Sequence, residues 1–130
     1  MLNKFLNKFN KKILVIEDDP SLRQAITDKL TGSGFSVVQA EDGEEGLRFA
    51  YKNHPRVILL DLMLPITDGA GVLDELRKDE WGKDVPVIVM SNLLEDENLV
   101  KRYHVFGYIV KSDWKMEDVI KKVREAIAEG

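Results

Sequence analysis

The stretch Ile13-Leu14-Val15-Ile16-Glu17-Asp18-Asp19-Pro20 decides the fold. Its first four residues form an unbroken apolar run rich in β-branched side chains, which is typical of a strand buried on both faces of a parallel sheet. Asp19 followed by Pro20 is typical of a helix start, because the aspartate can cap the helix and the proline fits its first turn. The stretch therefore predicts a strand that leads directly into a helix, with acidic residues at the junction.

The same strand–helix unit recurs along the rest of the chain. Each recurrence is a short apolar run followed by a segment with apolar residues at helical spacing. The further predicted strands are 35–40, 57–60, 85–90 and 106–110, and the further predicted helices are 44–52, 72–78, 95–103 and 116 onwards. Five such units predict an α/β fold with one parallel sheet, right-handed crossovers and helices on both faces.

Length and composition limit the class of protein. The chain has 130 residues, of which 44% are hydrophobic and 32% charged, and this fits one ordinary globular domain. The lack of cysteine excludes disulfides, thiolate metal sites and a cysteine nucleophile. No apolar run is long enough to cross a bilayer, and a net charge of −4 argues against a large nucleic-acid interface. We therefore expect a cytoplasmic protein without a nucleic-acid partner, and these features also disfavour a membrane partner.

Chemically active side chains fall at the ends of the predicted strands. Glu17 and Asp18 follow the first strand, Asp61 the third, Ser91 the fourth and Lys111 the fifth. The carboxyl ends of parallel strands meet at one edge of a sheet, where ligands bind in such folds. Converging carboxylates repel one another unless a cation joins them, and Mg²⁺ prefers oxygen ligands.

A metal ion, an ammonium and a hydroxyl at one edge together suit a phosphoryl group. A carboxylate among them can serve as the nucleophile and form an aspartyl phosphate. Asp61 is the best candidate, because it ends the central buried run and precedes an irregular loop that leaves its face open.

The order of these residues resembles the receiver domain of two-component response regulators. The segments that carry the resemblance are 12–23 (KILVIEDDPSLR), 57–65 (VILLDLMLP) with Asp68-Gly69, Ser91, and Tyr108-Ile-Val-Lys111. The resemblance covers about residues 11–128. It implies a doubly wound (βα)5 fold with the flavodoxin-like strand order 2-1-3-4-5.

The resemblance also implies a role for each residue of the site. The implied Mg²⁺ ligands are oxygen atoms, namely the carboxylates of Glu17, Asp18 and Asp61 and the backbone carbonyl of Met63. Asp61 would be the phosphoacceptor and Lys111 the phosphate-binding lysine. Ser91 would be the switch hydroxyl, also in contact with the phosphoryl group, and Tyr108 the switch aromatic.

Partners follow from the same resemblance. The implied phosphoryl donor is a sensor histidine kinase or a histidine phosphotransfer protein, and small acyl phosphates can replace it. Phosphorylation would shift a conformational population and alter the face made by helix four, strand five and helix five, where an unknown downstream protein would bind. The chain would phosphorylate and dephosphorylate itself without being an enzyme in the usual sense. The unit 11–130 leaves no length for an output domain, so we expect a single-domain receiver similar to chemotaxis regulators.

The chain departs from the family pattern near the site. Ser112 follows the lysine where the family usually has proline, and Asn92 follows the switch hydroxyl where a small residue is usual. These departures leave open a pseudo-receiver, which is a protein-interaction module without phosphotransfer. A flavin-binding protein is disfavoured, because the acidic residues after the first strand would repel a phosphate.

Residues 1–10 form a separate predicted unit, an amphipathic N-terminal extension. Leu2, Phe5, Leu6 and Phe9 recur at helical spacing, and lysines make much of the rest basic. So short a segment does not hold a helix alone in water. We interpret it as a short helix that packs on the domain or on a second copy, which leaves a homodimer open, and a membrane-surface anchor is the alternative.

Overall fold

The computed structural model describes residues 10–64 and 67–129. The predicted N-terminal extension, apart from Asn10, lies outside the described residues. The strands are β1 (Lys12–Ile16), β2 (Ser36–Ala40), β3 (Val57–Asp61), β4 (Val87–Ser91) and β5 (Gly107–Val110). The helices are α1 (Pro20–Gly32), α2 (Gly43–Asn53), α3 (Gly69–Lys78), α4 (Glu97–Arg102) and α5 (Met116–Glu129). Across these residues, every helix is too short or too polar to reach from one side of a membrane to the other.

The strands form one parallel sheet in the order β2-β1-β3-β4-β5, which confirms the predicted fold. The register aligns their carboxyl ends, since Ile16 pairs with Leu60, and Ser91 pairs with Val110. The strand order reverses between β1 and β3, and such a reversal opens a crevice at the carboxyl edge of the sheet. Residues that follow β1 and β3 therefore lie side by side at this crevice.

The strands are apolar on both faces because helices cover both faces of the sheet. Leu14 and Ile16 of β1 belong to a buried cluster that includes apolar residues of α2 and α3. Ile13 and Val15, which alternate with them, belong to the opposite cluster, with residues of α1 and α5. The period of two along a strand thus distributes one continuous apolar run between two cores.

All strands and helices predicted after residue 10 are present, with boundaries shifted by up to three residues. Asp19 caps α1, as predicted, and accepts hydrogen bonds from the backbone N–H groups of Ser21 and Leu22. Helix α3 begins at Gly69 rather than at residue 72, because Asp68 caps it and accepts a bond of 2.8 Å from the Gly71 N–H. The prediction of helix four over 95–103 was too long, since α4 has six residues and no fully buried side chain.

Helix α4 is held at its C-terminal end by Arg77 of α3. The guanidinium of Arg77 donates to the carbonyls of Tyr103 (2.7 Å), Gly82 (2.7 Å) and Val85 (2.8 Å). Its remaining bond is a longer one to the His104 carbonyl, at 3.3 Å. The end of α4 and the loop before β4 are therefore tied to one side chain, while the N-terminal end of α4 lies toward the crevice.

Candidate functional site

The charged residues predicted at the strand ends meet at the carboxyl edge of the sheet. Lys111 Nζ lies 2.7 Å from Glu17 Oε1 and 3.0 Å from Asp61 Oδ2. Both carboxylates are buried, with side chains only 1% and 3% exposed, and the lysine side chain is 14% exposed. One ammonium therefore serves two carboxylates in a largely dehydrated cluster.

Asp18 completes a group of three acidic side chains. Glu17, Asp18 and Asp61 each offer a carboxylate oxygen, and these three oxygens lie within 4.8 Å of one another. Asp18 is exposed, so the group opens to solvent on its side. A set of oxygen donors that is accessible from one side suits a hard divalent cation, which keeps some of its waters. The residues present therefore fit Mg²⁺.

Burial raises the pKa of Glu17 from 4.5 to about 7, because the charged form loses its hydration. Hydrogen bonds from Lys111 and from the Asp19 N–H oppose this shift, and the negative charge of Asp61 adds to it. For Lys111, burial lowers the pKa, but the two carboxylates outweigh burial and the net shift is upward. The lysine stays charged, and a second cation would relieve the acidic side of the cluster.

The carboxylate of Asp61 is held from two directions. Its Oδ1 accepts a hydrogen bond of 3.0 Å from the Met63 N–H, and its Oδ2 accepts the bond from Lys111. The Gly69 N–H donates to the Leu62 carbonyl at 3.0 Å, which closes the loop that follows β3. The Met63 side chain is exposed, and its backbone lies beside Asp61. That its carbonyl binds the metal stays a prediction.

Ser91 and Tyr108 contact the same residue from different strands. The buried Ser91 hydroxyl oxygen accepts a bond of 3.1 Å from the Leu93 N–H. The Tyr108 hydroxyl donates to the carbonyls of Leu93 (3.1 Å) and Leu94 (3.3 Å). Neither side chain hydrogen-bonds Asp61 across residues 10–64 and 67–129. The two predicted switch residues are therefore linked through the loop between β4 and α4.

The departures from the family pattern at positions 92 and 112 lie on the surface. Asn92 and Ser112 are both exposed, and the Lys111–Ser112 peptide bond is trans. The Lys111 N–H donates to the Ser91 carbonyl at 2.7 Å, so the backbone of the lysine is anchored to β4. Neither departure displaces a member of the charged cluster.

Sequence reasoning missed one residue beside the site, Arg23 of α1. Its Nη1 donates to the Glu17 carbonyl at 2.8 Å, and its Nε donates to Gln39 Oε1 at 3.1 Å. The signal that could have found it is its place at the end of the 12–23 segment, directly after the apolar Leu22.

The sequence of the chain is similar to that of known response regulators. The family described as response regulator receiver domain matches residues 13–124. Among curated proteins, the "Probable transcriptional regulator ycf27" of Porphyridium aerugineum is 36% identical over 124 residues, which is 89% of this chain and 50% of that protein. The matches to curated relatives cover between 31% and 50% of the length of those proteins.

Solved structures of receiver domains share the fold. The receiver domain of the Francisella response regulator 1452 superposes with a TM-score of 0.83 at 31% identity, over 92% of this chain and 98% of that one. The response regulator TrrA of Thermotoga maritima, solved in complex with Mg²⁺ and BeF, gives a TM-score of 0.79 at 27% identity, over 89% and 98%. With the match of the family to most of its length, this chain belongs to the receiver domains of two-component response regulators.

Proposed function

We propose that this chain is a Mg²⁺-dependent phosphoacceptor switch in which Asp61 receives the phosphoryl group. The observation that carries this proposal is the placement of the buried Asp61 carboxylate, 3.0 Å from the Lys111 ammonium and grouped with Glu17 and Asp18. An ammonium and an open acidic group beside one carboxylate match the charge pattern that phosphoryl transfer requires.

The proposed reaction is a transfer from a phosphohistidine. An oxygen of Asp61 attacks phosphorus, an O–P bond forms, and the P–N bond breaks with its electron pair going to the imidazole nitrogen, which takes up a proton. The Lys111 ammonium offsets negative charge on the phosphoryl oxygens. The Ser91 oxygen accepts from the Leu93 N–H, so its own proton is free to be donated to a phosphoryl oxygen.

The proposed metal-binding residues are Asp18, Asp61 and Glu17, with the backbone carbonyl of Met63. Bound Mg²⁺ would supply charge neutralisation and orientation for the incoming phosphoryl group. The complex of the relative TrrA with Mg²⁺ and BeF supports this choice of ion. In this chain, Glu17 Oε1 accepts a hydrogen bond from Lys111 and Oε2 accepts one from the Asp19 N–H, so Glu17 would help to hold the ion with both oxygens already hydrogen-bonded.

The proposed output begins at Leu93. A phosphoryl group on Asp61 would draw the Ser91 hydroxyl toward it and weaken the bond from the Leu93 N–H, and Tyr108 holds the carbonyl of the same residue. The change would then reach the face made by α4, β5 and α5, where we place the downstream partner. The phosphoryl donor would be a histidine kinase or a histidine phosphotransfer protein. The reaction would take place in the cytoplasm, and residues 11–130 would form the functional unit.

The test is incubation of the chain with Mg²⁺ and a small acyl phosphate, followed by intact-mass measurement. We expect the mass of one phosphoryl group to be added, and a chelator to prevent it. Asp61→Asn should abolish the addition. The matched control is Asp84→Asn, since Asp84 is exposed and precedes β4, at the opposite edge of the sheet.

A phosphoryl group on the folded Asp61→Asn variant would overturn the assignment of Asp61. A folded parent chain that binds no Mg²⁺ and accepts no phosphoryl group would instead favour the pseudo-receiver, a module that acts by protein binding alone.

A further inference from the structure

Arg23 reaches from α1 to the backbone of the acidic site. Its guanidinium donates to the Glu17 carbonyl at 2.8 Å through Nη1 and to Gln39 Oε1 at 3.1 Å through Nε. The side chain is only 13% exposed, and its ion pair with Glu41 is long, at 3.8 Å, with a partner that is 71% exposed. The main contacts of the Arg23 side chain are therefore its hydrogen bonds to Glu17 and Gln39, and not the ion pair with Glu41.

The carbonyl that Arg23 binds belongs to the peptide group that joins Glu17 to Asp18. The Glu17 N–H donates to the Ala40 carbonyl of β2 at 3.0 Å, so this backbone is held on one side by the sheet and on the other by α1. A planar peptide group that is fixed at its carbonyl cannot rotate freely. The direction in which Asp18 leaves the backbone is therefore set in part by Arg23.

Asp18 depends on its backbone more than the other acidic residues do. The Glu17 carboxylate is bound by Lys111 and the Asp19 N–H, and the Asp61 carboxylate by Lys111 and the Met63 N–H. Asp18 is exposed, and within the part of the chain that the structure describes no hydrogen bond holds its carboxylate. A metal ligand without side-chain support is positioned by the peptide group that carries it.

We propose that Arg23 is the positioning residue of the acidic site, and that its bond to the Glu17 carbonyl aims the carboxylate of Asp18 for Mg²⁺ binding. This inference rests on the proposed function. Arg23 itself contributes no ligand. Residues that orient metal ligands affect affinity by about 10-fold to 100-fold when they are replaced, and Arg23 belongs to this class through a backbone contact.

The experiment is calorimetric titration of the full chain with Mg²⁺ alone. Arg23→Gln removes the fork that joins Glu17 to Gln39, and we expect the dissociation constant for Mg²⁺ to rise by about 10-fold or more. Arg23→Lys keeps the charge and one donor, so its constant should lie between those of Arg23→Gln and the parent. Glu41→Gln removes only the exposed ion-pair partner and should bind Mg²⁺ as the parent does.

A second readout separates positioning from general stability. With acyl phosphate as the donor, Arg23→Gln should need more Mg²⁺ for half-maximal phosphorylation, and saturating Mg²⁺ should restore most of the rate. If circular dichroism shows that Arg23→Gln is unfolded, the same measurements are made on the folded Arg23→Lys variant. Parental Mg²⁺ affinity in the folded variants would overturn the role of Arg23 alone, whereas absence of Mg²⁺ binding by the parent chain would overturn the proposed function and this role with it.

Discussion

Lys111 and Glu17 are 94 residues apart in the chain, yet their side chains meet at 2.7 Å at the carboxyl edge of the sheet. Strands β3 and β4 lie between β1 and β5, so the lysine reaches back across the edge, past Asp61, to Glu17. The same ammonium contacts both buried carboxylates. Two buried carboxylates share one ammonium, so the charge state of Glu17 has measurable consequences.

The stability of the metal-free protein should depend on the charge of Glu17. Burial is the main cause that raises the pKa of Glu17 from 4.5 to about 7. Between these two pH values, the folded state keeps a proton that the unfolded state releases. The contribution of Glu17 to the free energy of unfolding should therefore be fully present below pH 4.5 and be lost as the pH rises through about 7, with a total change of up to about 3 kcal/mol. Urea unfolding with a chelator across this range measures the slope. Glu17→Gln should flatten it, while Glu41→Gln should keep it, and an unchanged slope in Glu17→Gln would contradict the assignment.

Replacement of Ser91 should affect both stability and chemistry. Ser91→Ala leaves the Leu93 N–H without its acceptor, which costs about 1 kcal/mol. It also removes the hydroxyl proposed to donate to the phosphoryl group, so phosphorylation by acyl phosphate should slow. Urea unfolding and the rate of mass addition measure the two effects. The exposed Ser112 offers the control, since Ser112→Ala should change stability by less than about 0.5 kcal/mol, and a parental phosphorylation rate in Ser91→Ala would refute the role.

Removal of the Tyr108 hydroxyl should loosen the loop before α4 and leave phosphorylation intact. Tyr108→Phe loses the bonds to the carbonyls of Leu93 and Leu94, and a net loss of about 1 kcal/mol corresponds to roughly five-fold faster local opening. Hydrogen exchange over residues 93–99 measures this. Tyr51→Phe is the matched control, because the Tyr51 hydroxyl makes only an exposed contact of 3.5 Å with the Glu75 carbonyl. Equal exchange in the two variants would show that the tyrosine does not hold the loop.

Close approach of backbone should make Gly43 intolerant of a side chain. A Cβ at Gly43 would overlap the carbonyl oxygen of Thr67, in the loop that follows Asp61. Gly43→Ala should therefore destabilise the fold by about 1–3 kcal/mol through overpacking. Gly32, at the end of α1, has no atom within 4 Å of an added Cβ, so Gly32→Ala should be neutral or stabilise by up to about 1 kcal/mol. Thermal or urea unfolding of the two variants tests the close approach of Thr67 to Gly43. Equal stability of the two variants would disprove that approach.

The strand–helix alternation could be predicted because each element depends on local chemistry. The run Ile13–Ile16 is apolar throughout, and Asp19 with Pro20 starts a helix whatever packs on it. Element ends were less predictable. Helix α4 is shorter than predicted because its residues gain little burial. Arg77 binds the backbone at its C-terminal end, and the Tyr108 hydroxyl binds the loop that precedes it. Neither contact has a local signature, since each joins a side chain to distant backbone carbonyls.

The acidic residues and Lys111 could also be assigned to one edge from the sequence, because parallel strands end together. The burial and the ion-pair partners of each residue at that edge could not be predicted from the sequence. Glu17 and Asp18 are adjacent and chemically alike, but one is buried against Lys111 and the other is exposed. Arg23 ends the 12–23 segment, but nothing in that segment shows that it binds the peptide group between them.

The sequence by itself therefore determined the parallel sheet, its order of elements and the set of side chains at its carboxyl edge, because these follow from local apolar patterns, helix caps and the geometry of parallel strands. Only the tertiary structure decided which carboxylate is dehydrated, which ammonium offsets it and which side chains hold the backbone beneath it. Those properties depend on solvent exclusion and on distances between residues far apart in the chain, and no local pattern encodes them.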